Sequence, residues 1–138
     1  DLTAISNMND VKSQHLPNNK KRVDFAASPK MSTYLLAWAV GKFDCIQTKS
    51  GNGVTIRIFS PPGQAERGRF ALAAGVKALD FFDDYFQVPY PLPKLDMLCC
   101  TEFAMGAMEN WGLVTYRENA LMLDENADIS MKQRVGLP

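Results

Sequence analysis

Histidine is almost missing from this chain: His15 is the only one among 138 residues. A catalytic metal centre needs about three converging protein ligands, so His15, read as part of a loop in "SQHLPNN", is given no ligand role and no metal residues are assigned. Cysteine is also scarce. Cys45, Cys99 and Cys100 cannot all pair, and neighbours such as Cys99 and Cys100 point to opposite faces of a strand. That excludes a disulfide framework or zinc knuckle and favours a reducing compartment; the address expected of the parent is cytoplasmic. Net charge is absent, with 15 basic against 15 acidic side chains, so there is no electrostatic reason to expect nucleic acid or an anionic membrane as partner. The basic cluster "NNKKR" at 18–22 reads as a solvated loop. No apolar run reaches the roughly 18 residues of a membrane span, and no Asn-x-Ser/Thr acceptor occurs. An initiating methionine is missing too. A start at Asp1 suggests a piece cut from something longer, so the lack of a signal peptide says little about the parent's destination.

Hydrophobic residues, by contrast, make up 46% of the chain, enough for one globular domain or pieces of two around a moderate core. From Val23 to Thr48 β-branched and aromatic residues dominate, and strands are expected. "SGNG" at 50–53 predicts a tight primed hairpin turn, with positive φ at Asn52-Gly53. In "VTIRIFS" the residues Val54, Ile56, Ile58 and Ser60 alternate with the others, which predicts a strand with one buried face. "SPPGQAE" then breaks regular structure, and a helix is expected from about Gln64. Its expected core stripe is Phe70, Ala74, Ala78, Phe81, Phe82 and Tyr85. The prolines of "VPYPLP" end it. "KLDMLCC" reads as a short buried strand and "LVTYRE" as another, close enough to pair. In the tail, Asp128 or Ser130 is a plausible N-cap for a further short helix. The layout is α+β, with a β-rich part over 1–50 and a strand-helix-strand part over 51–138, neither looking complete.

Between the last two strands lies "GAMENWG" at 106–112, where a charged residue interrupts a stretch suited to burial. Gly106 has no Cβ to hold another backbone away. An extended peptide on an exposed sheet edge gains main-chain hydrogen bonds, and a carboxylate beside that edge, Glu109, can meet its terminal ammonium through a charge-assisted bond. Met108 can form a tolerant apolar wall for the first side chain. The same residues also fit an ordinary turn, in which Gly106 relieves strain, Met108 and Trp111 fill core, and Glu109 faces water.

A longer stretch, "TEFAMGAMENWGLVTYRE" at 101–118, resembles the exopeptidase motif region of the M1 (gluzincin) zinc aminopeptidases, closest to their puromycin-sensitive branch. "SNMN" at 6–9, "MSTYLLAWAVGKFD" at 31–44, "PPGQAERGRFAL" at 61–72 and "DYFQVPYPLPKLD" at 84–96 follow in that family's order. The resemblance implies the end of a β-sandwich N-terminal domain joined near residue 50 to the start of a thermolysin-like catalytic domain. It implies that Glu109 binds the free α-amino group of a peptide substrate, that backbone at Gly106 and Ala107 flanks its first residues, and that Met108 borders the first side-chain pocket. Asn110 and Trp111 match the motif and are assigned to the loop's shape. Glu102 stands where relatives commonly carry Asp.

The family's chemistry also needs His-Glu-x-x-His on a helix, two imidazoles holding zinc while the glutamate activates water. That motif is not in these residues. Zinc is therefore expected in the complete enzyme and not on this chain, which is expected to have no turnover by itself. A different class of reading is a noncatalytic, shortened product that binds peptides or associates with the full-length enzyme.

Overall fold

The computed structural model describes residues 2–123; the helix cap expected at Asp128 or Ser130 lies outside them. The architecture is α+β, as expected. Strand β1 (Thr3–Ser6) pairs antiparallel with β4 (Trp38–Gly41). Strands β2 (Asp10–Leu16) and β3 (Lys20–Phe25) form a separate antiparallel hairpin. Asn18 and Asn19 turn that hairpin with φ of 63° and 57°, a left-handed conformation that Asn tolerates better than most residues. "NNKKR" is thus a turn and the start of a strand rather than a loop, and His15 sits within β2 opposite Lys21. Polar composition concealed this pair because all of β2 is exposed and carries no buried face to pattern.

The main sheet has five strands, in the order β5 (Asp44–Lys49), β6 (Thr55–Ser60), β7 (Lys94–Cys100), β9 (Leu113–Arg117) and β8 (Ala107–Met108). Strand β5 lies before the expected division at residue 50 and pairs antiparallel with β6 beyond it. The turn between them differs from the expected one. Gly53 alone takes positive φ, 84°; its N–H donates to Ser50 O at 3.0 Å, while Ser50 N–H donates to Val54 O at 2.9 Å. This is a three-residue loop with a glycine bulge. Its geometry follows from anchors to the helix below, Gly51 N–H to Asp80 at 2.9 Å and Asn52 Nδ2 to Asp83 at 2.7 Å.

Strands β6 and β7 are parallel, so the chain must cross over between them, and helix α1 (Arg69–Phe86) makes the crossing after a 3-10 turn at Ala65–Gly68. Gln87, at φ 53°, closes the helix before the prolines. The sheet is covered on both sides. Ile56, Ile58, Met97 and Cys99 meet α1 through Ala71 and Leu79, while Phe59, Leu98 and Leu113 pack with Ile5 from β1. Strand β6 is consequently buried on both faces at Ile58 and Phe59, where one buried face was expected. Cys99 and Cys100 contribute to opposite cores.

The aromatic stripe expected to face the core does not. Phe81, Phe82 and Tyr85 are at least half exposed, and the buried helix residues are Ala71, Ala74, Leu79 and Asp83. Close approach explains the choice. A Cβ on Gly68 would come within 2.9 Å of Ile58, and one on Gly75 within 2.8 Å of Met97, so the seam admits only small side chains. The aromatics stack along the flank instead, Phe81 on Tyr85 and Phe82 on Phe86, each pair 5.8 Å between ring centroids. A short helix, α2 (Glu118–Leu121), brings the described chain back to the start of α1, where Leu123 N–H donates to Arg67 O at 2.9 Å.

This packing orders two substitutions. Ile56→Ala is expected to destabilise the fold by about 2–5 kcal/mol, and Tyr85→Ala by under about 1 kcal/mol. Urea midpoints check the order, which would reverse if the aromatic stripe were the core face.

Candidate functional site

The chain between β7 and β9 covers residues 101–112 and contains β8, the outermost strand of the sheet. β8 pairs antiparallel with β9 on one side, Ala107 opposite Tyr116 and Met108 opposite Thr115. Its other edge has no strand partner among the described residues. Arg117 holds the entry to this segment: its N–H donates to Gly106 O at 2.9 Å, its Nε to Phe103 O at 2.9 Å, and its Nη2 to Ala104 O. Gly106 is exposed, and a Cβ placed on it would meet nothing within 4 Å.

Glu109 follows β8 directly and is exposed. Asn110, next to it, is buried, and its Nδ2 lies 3.1 Å from Leu113 O, 3.3 Å from Met108 O and 3.5 Å from Thr115 Oγ1. With Leu113 N–H donating to Asn110 O at 3.1 Å, the turn is wrapped around this one amide. Trp111 is 42% exposed, so it is not the core filler an ordinary turn would make of it. Trp111 and Glu109 line an apolar groove together with Tyr90, Leu92 and Val114. Gly106 and Ala107 open onto a different groove, against Ala71, Gly75 and Tyr116. The motif residues are contiguous in sequence but do not share one groove: Gly106 and Ala107 line one, and Glu109, Asn110 and Trp111 the other. The Tyr116 phenol pKa is raised, by burial first and then by the charge of Glu109.

Below the loop lies a cluster that the sequence reading passed over as a merely buried strand. Asp96 is fully buried and accepts a forked pair of bonds from Arg57, 2.6 Å from Nε and 2.8 Å from Nη2. Lys94, 3% exposed, donates from Nζ to Asp96 at 2.6 Å, Ser6 O at 2.6 Å and Gly112 O at 2.8 Å. Burial pushes the Lys94 pKa down, and Asp96 opposes that shift. Burial also works against the Arg57 charge, but hydrogen bonding and attraction to Asp96 leave its pKa raised. A signal was present. Lys94 and Asp96 are two apart in "KLD" and so share a strand face, and Arg57 stands opposite Asp96 in the parallel register.

Gly112, at φ 72°, closes the loop. Only glycine suits the position: a Cβ there would lie 2.1 Å from Asn7 O. Asn7, also overlooked, is buried and donates from Nδ2 to Trp111 O at 2.8 Å and Leu35 O at 2.8 Å.

Among the described residues no three His, Cys, Asp or Glu side chains converge, and His15 belongs to the exposed β2–β3 hairpin, a different sheet from the loop.

Two stability tests follow from the cluster. Asp96→Asn leaves the buried Lys94 and the half-buried Arg57 without their counter-charge and should cost about 3–5 kcal/mol, read as a fall in urea midpoint at neutral pH. Burial, then the Asp96 charge, pushes the Tyr90 phenol from 10.0 up to about 12. The folded chain keeps this proton where the unfolded chain has lost it, so the stability Tyr90 provides is complete below pH 10 and is lost as pH rises through about 12. Tyr90→Phe should flatten that alkaline decline in a midpoint series.

Comparison with known proteins finds two family models that match the chain. Residues 1–35 match the model of the peptidase M1 N-terminal domain, and residues 70–137 that of the peptidase family M1 domain. Aminopeptidase M1 of Arabidopsis thaliana is 50% identical over 136 residues, covering 98% of this chain and 15% of that protein. The puromycin-sensitive aminopeptidase of Caenorhabditis elegans is 46% identical over 138 residues, 99% of this chain and 15% of its own length. For the alanine/arginine aminopeptidase of Saccharomyces cerevisiae the values are 44% over 135 residues, 97% and 16%. The chain thus spans about 15% of the length of these relatives. Two models of one family match in order on either side of the 36–69 segment, and the relatives match across it: the chain belongs to peptidase family M1.

Proposed function

We propose that this chain carries the substrate-amine recognition part of a zinc aminopeptidase that removes N-terminal residues from peptides. The observation that carries the reading is an exposed carboxylate, Glu109, at the end of an outermost strand whose other edge has no strand partner among the described residues, where an extended peptide can pair. Main-chain pairing along Ala107–Met108 orients the peptide, and Glu109 then meets its α-ammonium. Because that contact exists only at a free terminus, it restricts attack to the first peptide bond. Met108 borders the first side chain, Gly106 leaves room for the backbone, and Asn110 holds the turn. The names of the relatives, aminopeptidases all, support the same reading.

The division of the chain into the end of an N-terminal domain, 1–50, and the beginning of a catalytic domain, 51–138, belongs to this proposal, as does a cytoplasmic address. So does the assignment of zinc to residues other than those described. With one histidine, the polypeptide by itself is expected to release no product from an aminoacyl fluorogenic substrate; chelator-sensitive cleavage would contradict this.

Within a full-length M1 aminopeptidase holding these residues, Glu109→Ala is expected to raise KM for free-amine peptides roughly tenfold or more, the scale of a lost charged hydrogen bond. Steady-state kinetics check it. Unchanged KM and kcat on such peptides would refute the anchor role.

A further inference from the structure

We infer that Asn7 is a positioning residue, through which the N-terminal strand sets the place of Glu109; the inference rests on the amine-anchor reading above. Glu109 is exposed and makes no hydrogen bond or ion pair of its own among the described residues. Its place is therefore decided by the backbone on either side. On the upstream side Arg117 and the β8–β9 pairing fix Gly106 to Met108. On the downstream side the Trp111 carbonyl is held from another part of the chain, 104 residues away in sequence.

Asn7 is suited to this task because every polar group of its side chain is spent. Nδ2 donates to Trp111 O and Leu35 O, each at 2.8 Å, and Oδ1 accepts Ala37 N–H at 3.0 Å. Two of these contacts lock the amide to the 35–37 segment, and the third carries that frame to the loop. Ser6 reinforces it, its hydroxyl donating to Ala37 O at 2.8 Å. Lys94 makes a parallel link, spanning Ser6 O and Gly112 O from one ammonium. The absence of a side chain at Gly112 lets Asn7 approach. Asn7 touches no reacting atom. Its effect on a substrate passes through Trp111 and Asn110 to the glutamate two residues before Trp111, where a shift of about 1 Å is enough to spoil alignment.

Asn7→Asp is the informative change. It keeps the acceptor for Ala37 but removes both donors, setting a carboxylate against two carbonyls. In a full-length M1 aminopeptidase containing these residues, KM for a free-amine substrate should rise about three- to tenfold, with kcat nearly unchanged. In a Glu109→Ala background the same change should add nothing to KM, because residues acting through one group are not additive. An equal factor in both backgrounds, or an unmoved KM in the folded single variant, overturns the inference. An unmoved KM in Glu109→Ala overturns the anchor reading and this inference with it. Hydrogen exchange on the milder Asn7→Ser covers the case in which Asn7→Asp does not fold. Segment 106–113 should exchange faster while 94–100 keeps its protection; uniform acceleration, or none, contradicts the role.

Discussion

Asp96 is a carboxylate with no access to water, and much of the molecule is arranged to make that tolerable. An ionised group in such a place costs several kcal/mol unless its charge and lone pairs are answered. Arg57 answers from β6 with two bonds, which fixes β6 against β7 in the one register that places Arg57 opposite Asp96. Lys94 answers from the same strand, and its own burial creates a further demand for acceptors. Ser6 O and Gly112 O meet it. One buried charge thereby joins two central strands, the N-terminal segment and the end of the site loop.

The sheet order adds the second condition. Strand β9 enters parallel beside β7, so the chain must travel back along the sheet before it can enter. It does so through residues 101–112, and two of them pair outside β9 as β8. The motif is thus on the edge for a topological reason, and Glu109 is exposed because it lies where that short strand ends. Arg117 and Asn110, each bonded to backbone carbonyls, keep the excursion from being a free loop. The backbone that carries Glu109 is held in this way, while its side chain stays exposed, so the main chain of the edge is ordered before a peptide pairs with it, which reduces the ordering cost of binding.

Much of this was legible in the sequence where burial imposes a period. The strands from Thr55 and Lys94, the crossing helix and the strand from Leu113 follow from runs of apolar residues. The α1 face was misread because aromatic residues at helical spacing resemble a core stripe, whereas the sheet admits only Gly and Ala at its closest approach. The β2–β3 hairpin lies outside any periodic signal, since neither side of β2 is buried. At the site, Glu109 stood out as a charge among apolar neighbours, and family resemblance gave it a role. Asn7 could not be found in that way. Its contact with Trp111 joins an amide to a carbonyl oxygen, which any residue supplies, so nothing in the local sequence marks the pair.

The central claim is that the Glu109 carboxylate reads a free ammonium group. The most direct measurement is the inhibition constant of a peptide against that of its desamino analogue, in a full-length M1 aminopeptidase bearing these residues and in its Glu109→Gln variant. The account predicts a preference for the amine of roughly tenfold or more that collapses towards equality in the variant. A preference that survives the loss of the carboxylate would contradict it.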